Sequence, residues 1–394
     1  MNAVLKEMTP GSAMDLAEQA RKLARKGEDI IHLEVCEPDF GVHPLIAAAI
    51  KAAFDEPSAP FADIFGDPEL RAAICRLHKQ EYGTEITPER VLVTSGSASA
   101  MLLVLQALCS NEDEILSATP GPARYRNLAL ACQARPIDIS AAADNDFQLD
   151  LAEIKAVLTP RTRALFVNSP ANPTGKLADP DLLKALPELF PGNAANAPVL
   201  LSDETYHGIV YGGKRAHSIL EYTDEAFVFA DFSSRFVRTG LDLGYVIIPK
   251  RHLRPLRLLQ QSLSSGAGVS AIAQRAALVA LQLLLGEHRQ SAQFQADQVA
   301  LLAEYDARRK FIMARIRDLG MSVPVEPEGT FFVFADARRY TNDSLSFAQN
   351  ALARAHVAFT PGTDFGARGQ GFLRFSYAAS IPRIREAFNR MAEV

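Results

Sequence analysis

Short, almost wholly apolar runs set between stretches of helical texture do most to narrow the fold of this chain. Val91–Thr94, Glu114–Leu116, Ala164–Val167, Val199–Leu201, Phe227–Phe229 and Tyr245–Ile248 are such runs, rich in β-branched and aromatic residues. A strand apolar on both faces is one that helices cover on both faces. Apolar strands alternating with helices specify an α/β fold around a mostly parallel, doubly wound sheet. Ligands of such sheets sit beyond the carboxyl ends of the strands. The residues just after each run are therefore the first candidates for a site.

Helices fill the intervals. Asp15–Lys26 places Leu16, Gln19/Ala20 and Leu23 at helical spacing and stops at Gly27. Pro44–Phe54 reads as a helix, and Pro68 opens another with Leu70, Ile74 and Leu77 in register. Ser95-Gly96-Ser97 reads as a tight turn before the apolar helix Ala98–Leu108. Past Pro249 the texture changes. Residues 271–319 are nearly all helix formers, and Thr330–Phe334 and Phe372–Ser376 read as strands. A chain of 394 residues exceeds one simple core. The expected plan is a large domain over residues 45–275, and a smaller α/β domain built from residues 1–44 and 276–394.

Bulk properties exclude several classes. The net charge is −5, which gives no basic face, so nucleic acid is not an expected partner. Cys36, Cys75, Cys109 and Cys132 are scattered, without CxxC spacing for zinc or a disulfide framework. The amino terminus carries acids early, unlike a signal peptide, and no apolar run reaches ~18 residues. A cytoplasmic protein away from membranes is the expectation.

The turns after the strands carry a family signature. Asn168-Ser169-Pro170-Ala171-Asn172-Pro173-Thr174-Gly175 closely resembles the N-x-P-x-N-P-T-G loop of class I/II aminotransferases, the fold-type I, aspartate aminotransferase-like enzymes that use pyridoxal phosphate. Asp203-Glu204-Thr205-Tyr206 is similar to the family's D-E-x-Y, Glu37-Pro38-Asp39-Phe40 to its E-P-D-F, and Gly66-Asp67-Pro68-Glu69-Leu70-Arg71 to its G-x-P-E-L-R. Ser233-Ser234 through Thr239-Gly240-Leu241-Asp242-Leu243-Gly244-Tyr245 follows S-K-x(4)-T-G-x-R-x-G-Y, and Pro361–Gly366 with Arg374 follows the closing motifs. The resemblance spans roughly residues 30 to 390.

It implies roles residue by residue. Asp203 would pair with the pyridine nitrogen, letting the ring act as an electron sink. Asn172 and Tyr206 would bond the ring hydroxyl. Gly96 and Ser97 would meet the phosphate at a helix amino terminus. Arg374 would clamp a substrate carboxylate. A homodimer acting on a carboxylate small molecule is also implied.

Other matched positions depart from the pattern. Ser234 stands where the family keeps the lysine that bonds the cofactor, and a hydroxyl forms no imine. Asp242 replaces the phosphate-binding arginine and Asp231 a phosphate-binding serine. Pro122 stands for the aromatic residue over the ring, Phe61 for a tyrosine that reaches the phosphate, and Cys36 for a glycine. At ~5 Å and an effective dielectric of ~20, each like-charge pair costs roughly 3 kcal/mol. A phosphate facing Asp231 and Asp242 would lose several such terms.

The expectation is therefore a remodelled site with no covalent pyridoxal phosphate and, as the leading reading, no cofactor. Non-covalent pyridoxal or pyridoxamine phosphate is an alternative. The leading function is a repurposed enzyme, with Ser234, Tyr206, Asp203 and Cys36 as its acid–base and nucleophilic groups. A pseudoenzyme or partner subunit is the competing reading. Cys36 also reads as a small buried filler. Asp231 and Asp242 also read as partners of Arg235 or Arg238. No metal is expected, two carboxylates alone being weak evidence for one.

Overall fold

A computed structural model describes residues 8, 12–34, 38–55, 63–191, 197–232, 236, 242–263 and 268–393. Its strands, in chain order, are β1 (Ile31–His32), β2 (Val91–Thr94), β3 (Glu114–Thr119), β4 (Arg135–Ser140), β5 (Thr162–Asn168), β6 (Val199–Asp203), β7 (Ala226–Asp231), β8 (Gly244–Ile247), β9 (Phe332–Asp336), β10 (Val357–Ala358), β11 (Thr360–Pro361) and β12 (Phe372–Ser376). The helices are α1 (Ser12–Arg25), α2 (Pro44–Asp55), α3 (Pro68–Tyr82), α4 (Gly96–Leu108), α5 (Ala123–Ala131), α6 (Leu151–Val157), α7 (Pro180–Leu189), α8 (Leu253–Leu263), α9 (Ala271–Leu285), α10 (Ser291–Asp318), α11 (Ser344–Ala355) and α12 (Ile381–Ala392).

Seven strands form the main sheet in the order β2-β8-β7-β6-β5-β3-β4. The ladders β3–β4, β3–β5, β5–β6 and β6–β7 are parallel, whereas β8 runs antiparallel to both β2 and β7. The mostly parallel α/β sheet expected from the sequence is thus present. Side chains alternate between its faces as the pleat requires. Val93, Leu116, Leu165, Leu200 and Val228 join one apolar cluster, and Leu92, Ile115, Phe166, Leu201 and Phe229 join the other.

A second core lies under the smaller sheets. There β11-β12-β9 forms an antiparallel sheet, and β1 pairs in parallel with β10. Leu16 and Ala20 of α1 enter this cluster beside Tyr305, Ile312, Val333, Phe375 and Phe388. The amphipathic spacing of the first helix therefore buries the face the sequence marked.

One strand is missed from the sequence and two readings are corrected. Strand β4 escapes a sequence reading because Arg135-Pro136-Ile137-Asp138-Ile139-Ser140 is mostly part-exposed. As an edge strand it has one neighbour and needs no continuous apolar run. Gly96 and Ser97 belong to α4 rather than to a separate turn. Ile30–Val35 reads from the sequence as a short β-like run, and among its described residues the strand covers Ile31 and His32 alone.

Candidate active site

The carboxyl ends of β2, β3, β5, β6 and β7 lie on one edge of the main sheet, and the candidate residues follow them. Ser95 leads into α4, and Gly96 adopts φ +76 there, a conformation open to glycine. Asp203 ends β6 and is 4% exposed. Asp231 ends β7, and Asp242 stands just before β8.

Asp203 is held from several sides. The Tyr125 hydroxyl donates to its Oδ2 at 2.6 Å. The Thr205 hydroxyl donates to Oδ1 at 2.5 Å, and the Thr205 N–H at 3.2 Å. Burial and then the Asp203 charge hold the Tyr125 phenol well above its ordinary pKa, so it stays a donor. Tyr125 stacks on Phe166, ring centroids 4.2 Å apart. Sequence reasoning passes over Tyr125. Its one signal is its place three residues after Pro122, on the first turn of α5 beyond β3.

The amino end of α4 meets carboxylates from its own chain. Asp231 Oδ2 accepts from the Ser97 N–H at 3.5 Å, a long bond. Asp242 packs so closely on Gly96 that a Cβ built there would lie 2.4 Å from its Oδ1. Thr205 Oγ1 stands 3.5 Å from Ser97 Oγ. The two hydroxyls connect this helix end to Asp203.

Arg374, on β12, is 6% exposed and crosses from the smaller sheet toward the main one. Nη1 donates to Asn172 Oδ1 at 3.0 Å; Nη2 donates to the Glu34 carbonyl at 2.9 Å and to Thr360 Oγ1 at 3.0 Å. Its guanidinium carbon lies 4.1 Å from the Phe332 ring centre and 5.1 Å from that of Phe365. Nε is buried and has no hydrogen-bond partner among the described residues. The aromatic and hydroxyl supports Phe332, Phe365 and Thr360 also escape sequence reasoning, because only folding brings them to Arg374.

Tyr206 is buried, with the Phe331 and Phe332 rings edge-on at 5.7 Å. Pro122 caps α5 and lines a cavity of about 40 Å³ with Tyr125, Asn172 and Lys176. Lys176 Nζ lies 3.3 Å from both Asp146 and Glu328. Burial opposes its charge, but these carboxylates outweigh burial and raise its pKa. Lys214 bonds Glu328, and Lys250 is exposed. Ser234, Cys36 and Phe61 lie outside the described residues, as do Arg235 and Arg238.

Among the described residues no cluster of three metal-ligating side chains occurs, and no helix is long and apolar enough to cross a membrane.

This architecture and these loops define an aspartate aminotransferase-like fold. The chain belongs to the class I and II aminotransferase family, whose model matches residues 28–390. It is 31% identical to the (5-formylfuran-3-yl)methyl phosphate transaminase of Methanocaldococcus jannaschii, over 96% of this chain and 95% of that one. Identity to the aspartate aminotransferase of Pyrococcus horikoshii is also 31%, over 96% and 92%. The structure of Thermus thermophilus aspartate aminotransferase with maleate superposes with a TM-score of 0.90 at 28% identity, over 100% and 99% of the two chains.

Membership corrects one expectation outright. The family and its close structural neighbours are pyridoxal phosphate-dependent aminotransferases, so the reading that no cofactor is involved is withdrawn. The residues fit the two halves of that cofactor unequally. Asp203, braced by Tyr125 and Thr205, suits a pyridine nitrogen. The helix end that would take the phosphate is faced by the Asp231 and Asp242 carboxylates.

Proposed function

We propose that this member of the aminotransferase family is a repurposed enzyme whose cleft binds an amino-acid-like or other carboxylate small molecule, and which holds a pyridine cofactor non-covalently. The buried Arg374 carries the reading. Two aromatic rings and three oxygen acceptors fix the guanidinium, and Nε is left over. A buried guanidinium with unspent donor capacity favours an anion, and a carboxylate matches its planar geometry. That relatives are named aminotransferases, one solved with the dicarboxylate maleate, supports the same substrate class.

The roles follow from chemistry. Arg374 orients the carboxylate, with Asn172 beside it. Asp203 would pair with the ring nitrogen, and Tyr125 and Thr205 fix the orientation of its carboxylate. A bound pyridine ring would supply an electron sink. Ser234 offers no amine for a covalent bond, so proton transfer falls to Tyr206, Asp203, Ser234 or Cys36. Gly96 and Ser97 would stand at the far end of the ring site, with Pro122 part of the remodelled pocket and Phe61 a candidate by its motif position alone. We also assign the chain to the cytoplasm and to a homodimer, the assembly typical of the family; light scattering of the purified protein tests the latter.

Maleate is the probe. Calorimetry on the full chain is expected to show maleate binding that falls at least tenfold in Arg374→Lys, which keeps the charge but loses the planar fork. Equal affinity in both would remove the carboxylate assignment. Adding pyridoxal phosphate is expected to produce no visible band of a lysine-bonded cofactor. The serine at position 234 also favours a second reading, a partner subunit without turnover, for which co-purification with a lysine-bearing homologue would be the sign.

A further inference from the structure

The segment that leaves β1 reaches Arg374 through its backbone and carries a buried acid beside the contact. Leu33 donates its N–H to the Ala358 carbonyl and accepts from the Ser376 N–H, both at 2.8 Å, so the segment is pinned between β10 and β12. The next carbonyl, that of Glu34, accepts from Arg374 Nη2 at 2.9 Å and from the Thr360 hydroxyl at 3.3 Å. The Glu34 side chain is 1% exposed, and its Oε1 lies 2.7 Å from His32 Nδ1. Oε2 is buried and meets no hydrogen-bond donor among the described residues.

A buried carboxylate is costly unless a cation lies close by. The partner that Glu34 touches is His32, 33% exposed, and histidine is the side chain whose charge ordinarily changes near neutral pH. The hydrogen bond to Glu34 raises the His32 pKa above its ordinary value, against the effect of burial. Arg21 of α1 and Arg383 of α12 also face the ring and oppose its protonation, and Arg383 is itself paired with Asp29. On β10 the residues that pair with β1 are Val357 and Ala358, which carry no charge. Four bonds separate the carbonyl carbon at the Arg374 contact from the Glu34 carboxylate carbon, so acid and guanidinium lie within about 10 Å of each other. That is about one Debye length at 0.1 M salt, and buried charges are screened less.

We propose, resting on the carboxylate reading of Arg374 above, that His32 and Glu34 set the anion affinity of that guanidinium. With His32 protonated the pair is neutral, and Arg374 meets a carboxylate with its charge undiminished. With His32 neutral the pair carries the Glu34 charge, which opposes an incoming anion. Carboxylate binding is therefore stronger on the acid side of the His32 titration and weaker on the alkaline side. Both act through Arg374 and touch no reacting atom, so they are positioning residues.

Isothermal calorimetry with maleate from pH 6 to 9 tests this on the full natural chain, His32→Gln and Glu34→Gln. The titration of maleate itself is common to all three and cancels between them. H32Q lacks the charge at every pH; it should bind at least threefold more weakly than the natural chain at the acid end and match it at the alkaline end. E34Q keeps an acceptor for His32 but no charge, and should bind at least threefold more tightly than the natural chain at the alkaline end. By reciprocity, maleate should raise the His32 pKa, read from its ring-proton NMR shifts, which a purely structural pair would leave unmoved. Parallel affinity profiles in the three chains would overturn the proposal and leave the carboxylate reading standing, as would a His32 titration that maleate does not move. H32Q, altered at a part-exposed position, decides between these outcomes even if E34Q fails to fold. No maleate binding at any pH would end the carboxylate reading and this proposal together.

Discussion

Glu204 is a buried acid that the site does not use directly. Its Oε1 accepts from the Ser202 hydroxyl at 2.9 Å, the Ser218 hydroxyl at 3.0 Å and the Ile219 N–H at 3.0 Å. Oε2 lies 3.4 Å from His207 Nδ1, which also sits 2.8 Å from the Tyr82 hydroxyl. Burial dominates these bonds and, with Glu221 nearby, pushes the Glu204 pKa up to about 8. The folded chain therefore binds this proton more tightly than the unfolded chain, whose value is near 4.5. The stabilisation is fully present below the unfolded value and is lost as pH rises through about 8. Each tenfold difference in proton affinity is worth about 1.4 kcal/mol, so the change across that window amounts to a few kcal/mol. Glu204→Gln keeps size and acceptor but cannot ionise. Melting temperatures from pH 5 to 9 should fall more steeply in the natural chain than in E204Q; parallel profiles would show that Glu204 ionisation is not coupled to folding. Much at this scale is legible in the sequence. Asp203, Asn172, Gly96, Ser97, Asp231 and Asp242 gather at one edge of the main sheet because their motifs flank its strand ends, whereas Arg374 comes from the middle of β12 and meets Asn172 there. Tyr125, Thr360 and Phe332 are not legible, since nothing local distinguishes a tyrosine that braces an aspartate from one that fills a core.

Among elements, α3 is readable almost to the residue, because its punctuation is chemical. Asp67 Oδ1 accepts from the Glu69 N–H at 2.7 Å and the Leu70 N–H at 3.2 Å, with Pro68 at the first helical position. Gly83 ends the helix at φ +71. The Asp67 N–H donates to Gln274 Oε1 at 2.6 Å, tying the cap to α9. Asp67→Ala should cost about 1 kcal/mol, read as a lower urea midpoint with unchanged slope; an unshifted midpoint would mean that the side-chain cap contributes nothing. Gly66, just before it, is fixed for a second reason. At φ +103, an added Cβ would lie 2.4 Å from Val93 Cγ2, so the turn and the strand approach need glycine together. Strand β4 marks the opposite case. Its place at the sheet edge, next to β3 alone, follows from long-range pairing that a window of sequence does not contain.

At the scale of the whole chain, Arg374 joins what the two sheets hold apart. It rises from β12, rests on Phe332 of β9, and donates to Asn172 in the loop after β5. Lys176, in the same loop, meets Glu328 just before β9, and the Gly175 carbonyl accepts from the Glu328 and Gly329 N–H groups at 2.9 Å. The division into residues 45–275 and the two flanking segments remains our proposal, supported by the separate apolar clusters of the main and smaller sheets. If both parts close on one ligand, binding must stabilise the fold as a whole. For a ligand that binds only the folded chain, stabilisation grows as RT ln(1 + [L]/Kd), about 2.7 kcal/mol at a hundredfold excess over Kd. For a chain longer than 250 residues this corresponds to a melting shift of a few degrees. Maleate should therefore raise the melting temperature of the natural chain in proportion to the logarithm of its concentration, and Arg374→Lys should lose most of that rise. A single transition moving with maleate would mean that both sheets respond together. Two transitions, of which only one moves, would mean that Arg374 holds the carboxylate without coupling the parts of the chain that meet at its guanidinium.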